Sequence, residues 1–276
     1  MKSITSNLPD SLSEALQERA QADQTSSDHV VSVALSRYLG RPIHTLFQVS
    51  TSAALVEGLY QGAVRVSRLL RHGDFGLGTF IDLDGEMVVL DGVCYQASST
   101  GAVRTVEADR LIPYAVVTRF NAEFSKQIDR LDSYNELVSV CDELRDSDNV
   151  FYAFRVEGRF SFVKTRVMKA VPEGTGLRTA ASGQQEFLFK EVEGTLVGLW
   201  SPGFAGSFSV PGYHFHFLSS DRSKGGHVLE CNAPHISVAG CAINEMHVSL
   251  PETEEFLKAD LKRDPQDDLA KAEHSH

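Results

Sequence analysis

The sequence lacks long apolar runs. No stretch of 18 consecutive apolar residues occurs in its 276 residues, so neither a transmembrane helix nor a membrane partner is expected. It also lacks an excess of positive charge, since 26 Lys and Arg stand against 37 Asp and Glu, for a net charge of −11. That balance argues against general binding to nucleic acid or to an anionic membrane surface. The first ten residues have no apolar core typical of a signal peptide, which favours a cytoplasmic protein.

Cysteine is scarce, and no C-x-x-C pair occurs. Free, mostly buried thiols in a reducing compartment are therefore expected at all four cysteines, Cys94, Cys141, Cys231 and Cys241. The hydrophobic content of 42% is enough for a real core. The chain length allows either one large domain or two.

Residues 1–42 differ in pattern from the rest. Apolar and polar residues alternate from Ile4 to Leu8, which predicts a short strand. Two helices are predicted next, the first with an apolar stripe every four residues and the second stopped at Gly40. Strand-helix-helix in this length resembles the ribbon-helix-helix module, which dimerises by pairing two strands and usually reads DNA with them.

DNA reading by this segment is possible but disfavoured. Ser3, Thr5 and Asn7 would face outward and suit hydrogen bonds to base edges. However, four basic and five acidic residues give the segment a net charge of −1, which is poor for binding phosphates. A dimerisation device, a module that has lost DNA binding, and a plain helical hairpin packed on the main domain all remain open.

Residues 43–276 change to short β-like runs broken by glycine. Asp84-Gly85 predicts a tight hairpin with a strand over Glu86–Leu90. Ile128–Leu144 has helical spacing. One strand is predicted before Glu157-Gly158 and another after it. The charged tail ends in a predicted helix. The mixture indicates an α+β domain with extensive antiparallel sheet.

Three histidines carry the strongest signal of chemistry. His214 and His216 alternate with two phenylalanines, so in a strand both imidazoles project from one face. The polar segment 219–226 ends in Gly-Gly and predicts a hairpin turn that returns His227 beside the pair. Three neutral imidazoles with an open fourth position are typical of catalytic rather than structural zinc sites.

Spacing alone leaves a structural role open, because alternating histidines also occur on strands that bind no metal. His235 and His247 are rival ligands, although a structural role is expected for both. His72 has no supporting pattern. Cys231 is not needed as a thiolate ligand if three histidines already supply the protein's share.

The motifs around the histidines resemble those of the acetolactate decarboxylase family. In chain order they are Phe75-Gly-Leu-Gly-Thr-Phe80, Leu83-Asp-Gly-Glu-Met-Val-Val-Leu-Asp-Gly92, Val163-Lys-Thr-Arg166, Val210-Pro-Gly-Tyr-His-Phe-His-Phe217 and Gly225-Gly-His-Val228. The resemblance runs from about Thr45 to the C-terminus, and the first 40 residues fall outside it. It implies a two-part α+β fold with mixed, barrel-like β-sheets and the metal between them, usually in a homodimer.

The resemblance also implies the residues of the site. One Zn²⁺ per chain, or another divalent metal, would be held by His214, His216 and His227. Catalytic roles and substrate contacts would fall to the matching residues Glu86, Arg166, Glu273 and Thr79. Glu273 lies in the tail, which the resemblance implies folds back to the site.

The family removes CO2 from 2-acetolactate and releases acetoin. The departing carboxyl group leaves an electron pair beside a ketone, and zinc would accept that charge as a Lewis acid without an organic cofactor. Arg166 would hold the substrate carboxylate through a bidentate pair. Glu86 and Glu273 would move protons, with their individual roles open.

Other interpretations remain open from the residues alone. A glutamate just after a hairpin turn, such as Glu86, is most often solvated, and Arg155 and Arg159 rival Arg166. The histidine trio also suits a metal-containing metabolite-binding or sensory protein, with the N-terminal segment as a DNA-binding module. No motif encodes the metal identity, the product stereochemistry or the range of acetohydroxy acids accepted.

Overall fold

The computed structural model describes residues 5–23, 25–39 and 43–273, apart from the side chains of Arg37 and Glu273. The chain forms two compact units, which divide after Ile43. None of the helices in the described ranges is long and apolar enough to cross a membrane.

The N-terminal unit contains helices α1 (Asp10–Ala22) and α2 (Ser27–Tyr38). The side-chain oxygen of Ser26 accepts a hydrogen bond from the His29 N–H at 3.1 Å and so caps the start of α2. The predicted strand over Ile4–Leu8 is wrong for its described part, since residues 5–8 have no regular structure; Ile4 lies outside the described residues. A ribbon strand is stabilised by pairing with another strand, and residues 5–8 have no such partner within the described part of this single chain.

The second unit begins with the strands of a seven-stranded sheet. Its order is β15-β1-β8-β3-β4-β5-β6, and every neighbouring pair is antiparallel except β1–β15. The bounds are β1 (Thr45–Val49), β3 (Phe75–Thr79), β4 (Glu86–Leu90), β5 (Val93–Ala97), β6 (Val103–Thr105), β8 (Tyr114–Thr118) and β15 (Glu245–Ser249), with β2 (Val64–Arg65) and β7 (Leu111–Ile112) as a separate pair.

The second large sheet has six strands in the order β11-β12-β13-β10-β14-β9. Because β10 also pairs with β11, strands β10 to β13 close into a small barrel-like ring. The bounds are β9 (Phe124–Ile128), β10 (Phe151–Val167), β11 (Gln185–Ser201), β12 (Gly212–Ser219), β13 (Gly225–Asn232) and β14 (His235–Ile243).

Two of the sequence predictions for this sheet need correction. Ile128 ends β9, and the helix starts only at Tyr134, where the Ser133 hydroxyl accepts a hydrogen bond from the Glu136 N–H. The predicted break at Glu157-Gly158 is absent, because β10 runs through it as one strand. A side chain at Gly158 would approach the backbone oxygen of His235 to 2.6 Å, so glycine here allows close strand approach rather than a turn.

Apolar layers lie on both sides of the two sheets. The sheets face each other across one cluster that includes Leu77 and Val88 from the first and Leu199 and Leu218 from the second. Helix α5 (Tyr134–Leu144) packs in a second cluster on the barrel-like sheet, and α4 (Val66–His72) packs in a third on the seven-stranded sheet. The helices of this unit are α3 (Ser52–Val56), α4 (Val66–His72), α5 (Tyr134–Leu144), α6 (Leu177–Ala181), α7 (Glu254–Lys258) and α8 (Gln266–Glu273). The observed architecture is α+β, with one mixed seven-stranded sheet and one barrel-like six-stranded sheet. It confirms the predicted fold class.

Candidate metal centre

The three predicted histidines converge on one point. His214 and His216 project from the same face of β12, and His216 is the direct cross-strand partner of His227 on β13. Nε2 of His214 lies 3.0 Å from Nε2 of His216 and 3.0 Å from Nδ1 of His227. Three nitrogens bound to one zinc ion at 2.0–2.1 Å in tetrahedral geometry would stand about 3.3 Å apart. Both distances are close to that spacing, and the ligand atoms of all three histidines lie within 4.8 Å of one another, as a tripodal metal site needs.

Alternation along β12 explains this placement. The two phenylalanines between and after the histidines, Phe215 and Phe217, are fully buried in the cluster beneath α5. Leu218, two residues beyond His216, is buried in the layer between the sheets. Burial of the phenylalanine face thus directs both imidazoles toward the opposite sheet.

The turn that returns His227 differs in detail from the prediction. The Asp221 carboxylate accepts hydrogen bonds from the Ser219 hydroxyl at 2.6 Å and from the backbone N–H of Ser223 at 3.0 Å. These bonds lower the pKa of Asp221 to about 2. The two glycines lie in the first positions of β13 rather than in the turn. A side chain at Gly226 would come within 2.9 Å of the Arg166 backbone oxygen, so glycine permits β13 to approach β10 here.

The donor set fits a cation. Nδ1 of His216 lies 2.7 Å from the Met87 carbonyl oxygen, and a carbonyl only accepts, so this nitrogen carries the proton. In a neutral imidazole the other nitrogen, Nε2, then presents its lone pair to the centre of the trio. A backbone carbonyl that orients the ring in this way is typical of metal-ligating histidines.

Glu86 reaches the trio from the opposite sheet. It is the first residue of β4, its exposed fraction is 5%, and its Oε2 lies 3.6 Å from Nε2 of His216. Its Oε1 accepts a hydrogen bond from the backbone N–H of Met168 at 3.1 Å. Thr79 is its direct partner on β3, and the Thr79 hydroxyl donates a hydrogen bond to the Gly85 carbonyl oxygen at 2.9 Å. The solvated interpretation of Glu86 is therefore excluded.

The connection before Glu86 is longer than the tight hairpin predicted at Asp84-Gly85. A short 3₁₀ turn over Ile81–Leu83 stands between β3 and β4. Gly85 has φ of +96°, a backbone conformation that favours glycine. The strand from Glu86 to Leu90 is present as predicted.

Arg166, near the end of β10, lines the cavity that Glu86 and the histidine trio also line. Its exposed fraction is only 4%. The pairing of β10 with β13 shifts register between Lys164 and Thr165. Lys164 is partly exposed and forms an ion pair with Glu186 at 2.8 Å. The rival Arg155 forms ion pairs with Asp91 and a neighbouring glutamate instead.

The cavity between the sheets has a volume of about 40 Å³. Polar groups of Thr79, Glu86, Arg166 and the histidine trio line it together with apolar residues, including Leu55, Leu177, Val210 and Ala272. Ala272 belongs to α8, so the C-terminal helix forms part of the wall. The side chain of the next residue, Glu273, lies outside the described part of the structure.

Three other described histidines named in the sequence analysis, His72, His235 and His247, are not among the residues that line this cavity. His235 is exposed beside Asp129, and His247 is exposed on the edge strand β15. His72 stacks on Phe47 with ring centroids 3.8 Å apart. Cys231, like the other three cysteines, is buried and free, and burial raises the pKa of its thiol.

One contributor to the site was not foreseen from the sequence. Met168 binds Glu86 through its backbone, and its sulfur lies 3.3 Å from a guanidinium nitrogen of Arg166. The available signal was its position two residues after Arg166, which places both side chains on one face of an extended segment.

Comparison with known proteins gives consistent matches. Residues 46–263 match the family described as alpha-acetolactate decarboxylase. An alpha-acetolactate decarboxylase from Methanosarcina mazei is 40% identical over 229 residues, which is 83% of this chain and 80% of that protein. One from Brevibacillus brevis is 38% identical over 221 residues, or 80% and 78% of the two chains. The crystal structure of alpha-acetolactate decarboxylase from Bacillus subtilis has a TM-score of 0.80 and 32% identity, covering 83% of this chain and 99% of that one.

Proposed function

Because the chain belongs to the alpha-acetolactate decarboxylase family and is a decarboxylase, we propose that it converts 2-acetolactate to acetoin and CO2. We propose further that the reaction uses a zinc ion held by His214, His216 and His227. The observation that carries the proposal is the meeting of three imidazoles, a buried carboxylate and a buried guanidinium on one cavity. No organic cofactor is part of the proposal.

The three histidines suit zinc because neutral nitrogen ligands leave the ion its full positive charge. When bound, the ion supplies a Lewis acid that stabilises negative charge on oxygen as CO2 departs. Another divalent metal remains compatible with the same nitrogen donors, because such sites follow metal availability as well as preference.

Arg166 binds and orients the substrate carboxylate in this proposal. Its guanidinium is permanently charged and offers paired N–H donors that match a carboxylate. Since the side chain is buried, this attraction is screened by water far less than at the surface. Thr79 lines the same cavity and serves as a substrate contact.

Glu86 accepts or donates the proton that moves on the substrate. The Met168 N–H fixes one of its oxygens at 3.1 Å and leaves the other directed to the histidine side of the cavity. A general acid–base group must be held within hydrogen-bond reach of its target, and this anchoring provides that. We assign the second proton-transfer role to Glu273, supported by Ala272 in the cavity wall.

The oligomeric state and the cellular compartment of the enzyme also belong to the proposed function. We propose a homodimer, as the family resemblance implies. The N-terminal unit lies outside that resemblance and adds a separate apolar surface through the exposed Leu35, Tyr38 and Leu39. A reducing, cytoplasmic setting is supported by four buried free thiols. DNA binding by residues 1–42 is not proposed, because their net charge of −1 disfavours phosphate contacts.

The test is metal analysis and an acetoin assay on the same preparation of the full chain. We expect about one zinc per chain and acetoin formation from 2-acetolactate that stops after chelation and returns with added zinc. A metal-loaded, folded protein that releases no acetoin would contradict the proposed reaction. Active protein that contains no divalent metal would contradict the proposed role of zinc.

A further inference from the structure

We propose that Arg263 is a positioning residue, which clamps helix α8 over the cavity by binding Glu57 and Asp268 together. The proposal deepens the proposed function and rests on it, since the cavity that α8 closes is the proposed active site. All residues of the clamp belong to the second unit.

The clamp joins three points of the chain. Nε and Nη2 of Arg263 donate to Oε1 of Glu57 at 3.1 and 2.8 Å, and Nη1 donates to Oδ2 of Asp268 at 2.7 Å. One guanidinium thus uses two of its edges for two carboxylates, an arrangement that a lysine cannot reproduce. These partners raise the pKa of Arg263, which stays charged in any case.

Each carboxylate is attached to an element of the cavity wall. Glu57 ends helix α3, and Leu55 of that helix lines the cavity. Asp268 lies in the first turn of α8, which brings Ala272 to the same cavity. The clamp therefore ties together two wall elements that are far apart in the sequence.

Helix α8 packs on α6 and α3 through a small apolar surface. It is eight residues long, too short to be stable in water by itself. Only Leu269 and Ala272 are buried, with exposed fractions of 1% and 2%. Gln266 packs closely against Gly206, where an added side chain would meet it at 2.8 Å. The two ion pairs of Arg263 add to this small apolar contact and connect the start of α8 to the end of α3.

The cavity is small compared with the proposed substrate. Its volume of about 40 Å³ corresponds to roughly three water molecules, whereas the proposed substrate is a branched five-carbon acid. A shift of one wall element would enlarge the cavity. Among the described wall elements, α8 is a short terminal helix, and a clamp at its start would set how often it opens.

The experiment places a spin label on α8 in the zinc-loaded full chain. Ala270 is exposed, and because all four native cysteines are buried, Ala270→Cys offers a selective attachment point. Arg263→Gln is expected to raise the ratio of mobile to docked label roughly 2- to 10-fold, the range for losing two partly exposed ion pairs. The KM for 2-acetolactate should rise by a similar factor without a change in the unfolding midpoint.

Matched variants separate the clamp from a general loss of charge. Arg159→Gln removes an exposed arginine paired with Glu191 and should leave the label unchanged. Arg263→Glu should free α8 more than Arg263→Gln, and adding Glu57→Arg should restore part of the docking. High salt should raise the mobile fraction of the wild-type clamp but not of Arg263→Gln.

The outcomes distinguish the clamp from the proposed reaction. If Arg263→Gln changes neither the mobility of the label nor the KM of an active enzyme, the clamp is overturned. A label that is equally mobile with the clamp intact overturns it as well. If the zinc-loaded chain releases no acetoin but the label responds as expected, the proposed reaction fails and the clamp stands.

Discussion

Oε2 of Glu86 lies 3.6 Å from Nε2 of His216, although the two residues belong to different sheets. The facing sheets therefore meet at the proposed metal centre, with a carboxylate from one and imidazoles from the other. Met87 follows Glu86 in the chain, and its carbonyl oxygen accepts a hydrogen bond from Nδ1 of His216 at 2.7 Å. One strand thus supplies both the carboxylate and the group that orients the ring.

Replacing Glu86 by Gln tests its role in proton transfer. The amide keeps the size of the side chain and an oxygen for the Met168 N–H, but it no longer exchanges a proton. We expect kcat for acetoin formation to fall on the order of 10²- to 10⁴-fold, with zinc content and the unfolding midpoint retained. Glu193→Gln, on an exposed position of β11, should be neutral. Full activity of Glu86→Gln would remove this residue from the mechanism.

Replacing His216 by Ala tests the ligand set. Two remaining imidazoles hold zinc weakly, so we expect loss of both bound zinc and acetoin formation. Zinc content is measured by elemental analysis after gel filtration, and circular dichroism checks that the sheets remain. The matched control is His247→Ala, because His247 is exposed on β15. Zinc retained at the wild-type level in His216→Ala would contradict the assignment.

The histidine trio could be predicted from the sequence because it depends on two local features, the alternation of side chains along a strand and a short turn. Alternation along β12 is a property of any strand, and the turn to His227 spans few residues. The sequence did not predict that Glu86 would be buried, because a glutamate after a turn has no local signal for burial. Packing between segments that are distant in the sequence removes it from water, and the family resemblance alone had indicated its role.

Other features depend on contacts distant in sequence. The continuity of β10 through Gly158 follows from strands that approach it on both sides, whereas the residue itself is typical of a turn. The link between Arg263 and Glu57 joins the ends of the second unit and has no sequence pattern. The N-terminal strand prediction met the opposite problem, since a strand without a neighbour lacks the pairing that stabilises it.

Replacing Arg166 tests carboxylate recognition. Arg166→Lys keeps the positive charge but loses the paired donors, whereas Arg166→Gln loses the charge as well. We expect kcat/KM to fall about 10-fold in the first and 100-fold or more in the second. The matched control Arg155→Gln alters only partly exposed ion pairs and should change kcat/KM less than twofold. Equal effects of Lys and Gln at position 166 would argue against bidentate binding.

Asp221 provides a test of the turn that positions His227. Hydrogen bonds from Ser219 and Ser223 lower its pKa to about 2 from the ordinary value of 3.8. Because the folded-state pKa is lowered, its stabilisation is fully present above about pH 4 and is lost as the pH falls toward 2. We therefore expect Asp221→Ala to be less stable than the wild type at pH 5, with the difference shrinking on acidification.

Chelated, metal-free protein is the appropriate sample for that measurement, since protonation of the histidines would otherwise add metal release to the pH dependence. The free energy of unfolding in urea is compared between wild type and Asp221→Ala from pH 5 to pH 2. Asp129→Ala, at an exposed carboxylate beside His235, is the control. A stability difference for Asp221→Ala that stays constant over this range would show that the ionised carboxylate does not hold the turn, and the placement of His227 would then depend on strand pairing alone.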